Sequence, residues 1–174
     1  MSVGKNIWTY FEGAWHEGDL PVMRAADHGS WLGTNVFDGA RFVNGLTPDL
    51  DLHCARVNQS AAALMITPTV STEDMIAITL EGLAQYPKGA AVYIRPMYWA
   101  IHGDATAIVP SPDETGFAIC LEEIPFAPPT ASTTLGLTRF RRPGIESAVV
   151  NAKAGWLYPI IARMLLEVRA RGFG

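Results

Sequence analysis

Apolar and polar positions change period several times along the chain, and each change predicts an element. Ile7-Trp8-Thr9-Tyr10-Phe11, a Glu12-Gly13 step and Ala14-Trp15-His16 read as a short hairpin. Ala25 to Asn35 carries two glycines and no clean period, which predicts a loop with one helical turn. Val36 to Val43 alternates and predicts a single strand. Asn44-Gly45 is a type I′ turn signal, with a return strand expected to end near Pro48.

From Asp49 or Asp51 to about Met65 the residues favour a helix, closed by Pro68. Ser71-Thr72-Glu73-Asp74 resembles a capping box with Asp at the fourth position, and Ile76, Leu80 and Leu83 continue it as a helical stripe. Ala90 to Ala100 reads as a long strand. Pro96 in its middle predicts an edge position or a bulge, because proline donates nothing to a ladder. Ile101 to Thr115 is a long loop of the kind that often forms a lid, and Gly116 to Ile124 a further strand.

Pro125-Phe126-Ala127-Pro128-Pro129-Thr130-Ala131-Ser132 has the composition of a linker and marks a domain boundary. The expected organisation is an N-terminal α/β domain over 1–125, a linker over 126–133, and the start of a second domain over 134–174. In that second part Thr134 to Phe140 predicts a strand. Leu157, Ile160, Ile161, Met164, Leu165 and Val168 make a helical apolar face, with Pro159 in the first turn and Gly172 as C-cap. Nothing in the sequence covers that face, so the second domain is expected to be incomplete in this chain and a comfortable monomer is not expected.

Composition narrows the function. The chain has 174 residues, 49% hydrophobic and 17% charged, which is a core-forming composition. A net charge of -4 argues against a nucleic-acid partner or an acidic membrane surface. No 18-residue apolar run is present, so no membrane span is expected. Cys54 and Cys120 lie far apart without ligand spacing and the four histidines do not cluster. No metal site is expected, and the thiols suit a reducing, cytoplasmic compartment. Arg139, Arg141 and Arg142 form the one basic cluster, suited either to a phosphate or to solvent.

Lys153 stands out among three lysines. Lys5 and Lys88 lie in polar or turn settings, whereas Lys153 sits in Ala148-Val149-Val150-Asn151-Ala152-Lys153-Ala154-Gly155-Trp156. An ammonium that loses water shifts toward the neutral amine, which condenses with aldehydes. The alternative is a lysine that snorkels to the surface from an apolar loop.

Val36-Phe37-Asp38-Gly39-Ala40-Arg41, Leu52-His53-Cys54-Ala55-Arg56-Val57, Tyr93-Ile94-Arg95-Pro96 and Ala152-Lys153-Ala154-Gly155 followed by Tyr158 occur in that order. In this the chain resembles the class IV (fold-type IV) pyridoxal-phosphate aminotransferases of the branched-chain-amino-acid type, from Trp8 to Gly172. The resemblance implies an α/β (α+β) fold of two domains and a homodimer. It implies a transaminase that moves an amino group between an amino acid and a 2-oxo acid through a Lys153 Schiff base with pyridoxal 5′-phosphate. Arg56 would hold the cofactor phosphate, Tyr158 its phenolic oxygen, and Phe37, Tyr93 and Arg95 would line the substrate pocket, with Arg95 suited to a substrate carboxylate or side chain.

Two departures bear on the substrate. Leu32 precedes Gly33 where many branched-chain enzymes carry tyrosine, and Trp156 replaces a second glycine, where it is expected to fill space near the site. The family's carboxylate at the pyridine nitrogen and its second phosphate loop come from residues beyond Gly174, so the 174-residue chain alone is expected to be catalytically poor. A lyase of the aminodeoxychorismate type, a D-amino-acid or amine transaminase, and a non-catalytic fragment are the alternatives.

Overall fold

The computed structural model describes residues 4–174. Strands β1 (Lys5–Phe11) and β2 (Ala14–Glu17) form the expected hairpin, turning through Glu12 and Gly13, both at positive φ. A single helical turn, α1 (His28–Trp31), follows in the loop where one was expected. Strands β3 (Asn35–Phe37) and β4 (Ala40–Phe42), helices α2 (Leu50–Ala63) and α3 (Thr72–Leu83), and strands β5 (Val92–Ala100) and β6 (Thr115–Glu123) complete the first part. The sheet runs β2-β1-β6-β5-β3, with β4 also paired to β5, and every pairing is antiparallel.

Pro96 does not place β5 at an edge. The strand is interior, bonded to β6 along one side and to β3 and β4 along the other. The same proline explains why the segment expected as one strand is two. Phe37 faces Met97 and Ala40 faces Ile94 in one unbroken register, so the interruption at Asp38-Gly39 falls opposite Arg95-Pro96. Asp38 N donates to Pro96 O (3.0 Å), but Pro96 has no N–H to return the bond, and the ladder opens there.

Period-2 alternation sorts the faces of β5. Val92, Ile94 and Tyr98 are fully buried against α2 and α3, where Cys54, Val57, Ala61, Met75 and Leu83 meet them. Tyr93, Arg95 and Met97 point to the opposite face and are half-buried. α3 begins as its sequence predicts: Asp74 N donates to Ser71 Oγ (3.0 Å), and the Ser71 hydroxyl donates to the Asp74 carboxylate (2.8 Å). Asn44 and Gly45 turn at positive φ, yet the return is only the Val43–Leu46 bridge before α2 begins, not a strand.

After β6 the chain thins out. Thr134 to Phe140 forms no strand among the described residues, and Leu135 and Leu137 are 89% and 91% exposed. A strand needs a ladder partner, and none lies beside this segment among the described residues. Helix α4 (Tyr158–Ala170) has proline in its first turn and no buried residue. Gly172, at φ +85, ends it, with Gly172 N bonded to Arg169 O and Phe173 N to Val168 O.

Candidate active site

Lys153 is fixed through its backbone by both halves of the first part. Its N–H donates to Ser60 Oγ on α2 (3.0 Å), and its carbonyl accepts from Phe37 N on β3 (3.1 Å). The next residue, Ala154, forms an antiparallel bridge with Val36. Ala152 and Ala154 are buried while Lys153 between them is only half-buried. The apolar neighbours therefore anchor the segment to the core, and the lysine side chain faces the other way. It is less dry than its sequence neighbours imply.

The amine lies among aromatic rings. Lys153 Nζ is 4.6 Å from the Phe37 ring centroid and 5.1 Å from that of Tyr158, and it donates a hydrogen bond to the Tyr158 hydroxyl. Phe37 and Tyr158 meet with centroids 5.0 Å apart. The single 3-10 turn Gly155–Leu157 carries the chain from Lys153 into α4, bringing the residue five positions on back over the lysine.

Arg56, Ser60, Lys153, Tyr158 and Arg142 line one concavity of about 360 Å³. The basic cluster thus sends one of its three arginines to the lysine. Arg56 is already engaged along one edge: Nε donates to Asp38 Oδ2 (2.6 Å) and Nη2 to Asp38 Oδ1 (2.7 Å). Asp38 is fully buried and also accepts from Gly39 N (2.7 Å) and His53 Nδ1 (2.8 Å). Burial pushes the Asp38 carboxyl up, but the hydrogen bonds from Arg56, His53 and Gly39 outweigh it and hold the group below its usual range. The same carboxylate raises the Arg56 guanidinium.

Asp38, His53 and Ser60 carried no expected role. His53, Arg56 and Ser60 fall at i, i+3 and i+7 of α2, one face of the helix, and that spacing was the available signal. Asp38 was hidden because a strand pattern gives no reason for an acid to turn inward.

Arg95 and Tyr93 do not line the Lys153 concavity. Arg95 forms an ion pair with buried Glu122, donates to Cys120 Sγ (3.4 Å), and lines a separate hollow of about 280 Å³ with Thr9, Asp19 and Met97. Burial disfavours its charge, but Cys120 and Glu122 win and the guanidinium is raised. Tyr93 is raised by burial, opposed by the charges of Arg95 and Lys153, and its ring closes over Gly39, where a Cβ would lie 2.9 Å from two ring carbons. Trp156 does not line the Lys153 concavity. It shares a third concavity with Leu32 and Gly33, so the two departures from the family pattern lie together in a hollow that Lys153 does not line.

The antiparallel sheet, with α2 and α3 packed on it, and the crossing segment bring an amine–phenol pair and two guanidiniums to one concavity. The chain belongs to the amino-transferase class IV family, whose model matches residues 35–174. It is similar to an aminotransferase from Brucella abortus solved with its cofactor PLP, at 51% identity and a TM-score of 0.94, covering 97% of this chain and 60% of that one. A branched-chain aminotransferase from the archaeon Thermoproteus uzoniensis, solved with norvaline, shares the fold at 20% identity and a TM-score of 0.80, over 97% of this chain and 58% of that one. A probable branched-chain-amino-acid aminotransferase of Rickettsia typhi is 29% identical over 167 residues, which are 91% of this chain. The chain spans 56% of that relative's length.

Proposed function

We propose that the chain is the lysine-bearing part of a pyridoxal-phosphate-dependent transaminase that moves an amino group between a branched-chain-like amino acid and a 2-oxo acid. The observation that carries this reading is the Lys153–Tyr158 hydrogen bond in a concavity shared with Arg56 and Arg142. That donor set fits pyridoxal 5′-phosphate: an amine for its aldehyde, a phenol for its ring oxygen and two guanidiniums for its phosphate dianion. When bound, the cofactor supplies an aldehyde that condenses with amines and a ring that takes up the electron pair of the substrate α-carbon.

The residues of this chain divide the remaining work. Lys153 would hold the cofactor through its amine, and the same Nζ would serve as the group that moves a proton at the substrate α-carbon. Tyr158 orients that amine, and the Phe37 ring beside it offers an apolar wall to a branched side chain. Arg56 anchors the phosphate through the guanidinium edge not used by Asp38. Tyr93 and Arg95 share one face of β5 but lie outside the Lys153 concavity, so neither is assigned a substrate contact. The names of the similar proteins favour branched-chain substrates. Exposed Trp31, Leu32, Ile108 and Val109 favour a homodimer, and the unpaired thiols of Cys54 and Cys120 favour the cytoplasm. We also place the linker at 126–133, between a domain over 1–125 and a second that begins at 134.

The test is titration with pyridoxal 5′-phosphate, followed by borohydride reduction and peptide mass mapping, on the wild type and Lys153→Ala. The expected result is a visible absorbance band and one reduced adduct on Lys153 in the wild type, and loss of both in the variant. Equal labelling of Lys5 or Lys88 would overturn the assignment.

A further inference from the structure

A guanidinium offers two edges that can each grip an anion with two parallel hydrogen bonds, one through Nε and Nη2 and one through Nη1 and Nη2. In Arg56 the first edge is filled by Asp38. The second has no carboxylate partner among the described residues, and the side chain lines the concavity that holds the Lys153 amine. A long arginine on a helix surface ordinarily samples many rotamers. Here the acid that restrains it is itself immobile: Asp38 is fully buried, sits where Pro96 opens the ladder, and is held by Gly39 N and His53 Nδ1.

We propose that Asp38 is a positioning residue that grips the side edge of Arg56 and so aims its terminal edge at the phosphate of the ligand bound by Lys153. This rests on the function proposed above. Asp38 is fully buried and does not line the Lys153 concavity, so it acts only through Arg56. The break between β3 and β4 then has a purpose. A continuous strand would bond Asp38 to β5 through both its N–H and its C=O. Pro96, which lacks the N–H to meet that C=O, releases the turn that sends the carboxylate to α2. His53 is a second tether, on the same carboxylate oxygen as Arg56 Nη2.

The experiment compares the dissociation constants of pyridoxal 5′-phosphate and of pyridoxal, which lacks the phosphate, in the intact protein. Wild type, Asp38→Asn, Arg56→Lys and the double variant are measured. The wild type is expected to prefer the phosphorylated ligand. Asp38→Asn is expected to lose about ten- to hundredfold of that preference, the range of one charge-assisted hydrogen bond, with pyridoxal binding nearly unchanged. The double variant should lose little more than the worse single variant, because the two residues act as one unit. A second readout needs no ligand: the Arg56 Nε–H NMR signal, slowly exchanging in the wild type, should broaden or vanish in Asp38→Asn.

If Asp38→Asn keeps the wild-type preference and the Arg56 signal, the positioning role is wrong while the function stands. If the wild type does not distinguish the two ligands, the function fails, and the NMR signal alone then decides whether Asp38 fixes Arg56. Should Asp38→Asn not fold, Asp38→Glu keeps the charge but misplaces it by one methylene. It should lower the preference too, and wild-type preference in that variant would overturn the proposal.

Discussion

Residues 4–124 and residues 134–174 are built on opposite terms. In the first stretch β5 and β6 hide one face under α2 and α3, and the core around Ile94, Ile119 and Leu121 is completely buried. In the second, α4 buries nothing and Leu135 and Leu137 lie open. Yet the Lys153 amine belongs to the second stretch. What reconciles them is the short segment Ala152–Leu157, which is stitched to the first stretch by Ser60, Phe37 and Val36. The first stretch supplies rigidity, and the second borrows it for one residue.

The contrast is sharpest in stability. Ile94→Ala removes three carbons from the centre of β5, where Ile94 faces Ala40 on one side and Leu121 on the other. It is expected to cost about 2–5 kcal/mol in a urea or thermal melt, the range for a large aliphatic truncated in a closed core. A cost under about 1 kcal/mol would mean that this core is looser than its burial shows.

Elements with strong local signals were legible from sequence. The Glu12-Gly13 turn, the Ser71–Asp74 cap, the spans of α2 and α3 and the Gly172 stop all depend on neighbours in the chain. The expected α3 stripe, by contrast, is buried only at Leu83, with Leu80 exposed and Met75 and Thr79 facing the core instead. What was not legible depends on partners far away. Pro96 reads as an edge signal until β3 and β4 are known to part opposite it. Asp38 reads as a strand residue until α2 arrives with His53 and Arg56. Lys153 and Tyr158 were legible as a pair, but the lysine's apolar neighbours were misleading about its own exposure, because they face the core and it does not. Thr134 to Phe140 shows the limit from the other direction: its pattern is that of a strand, and a strand exists only where a second one lies beside it.

Acid should expose the junction before the core. The Asp38 carboxyl is held below its ordinary range in the folded chain, so its contribution to stability is fully present above the unfolded value, about pH 4, and is lost as pH falls through the lowered folded value. Melting temperature measured from pH 6 downward is expected to fall more steeply in the wild type than in Asp38→Asn, which has no proton to take up. Parallel profiles would show that Asp38 is not held by Arg56 and His53 as described.

The smallest effect is expected at Leu137, and it tests the other side of the contrast. With its side chain open to water, Leu137→Ser in the 174-residue chain should change stability by less than about 0.5 kcal/mol, as surface substitutions do. Ile94→Ala in the same chain serves as the scale. A loss near that of Ile94→Ala would mean that Leu137 is covered in solution, either by a second copy or by a rearrangement of residues 134–174. Concentration dependence of the melt separates the two, because only association makes the melting temperature rise with protein concentration. A silent Leu137 beside a costly Ile94 would leave the amine where the contacts put it: on a loosely packed segment, held still by a well-packed one.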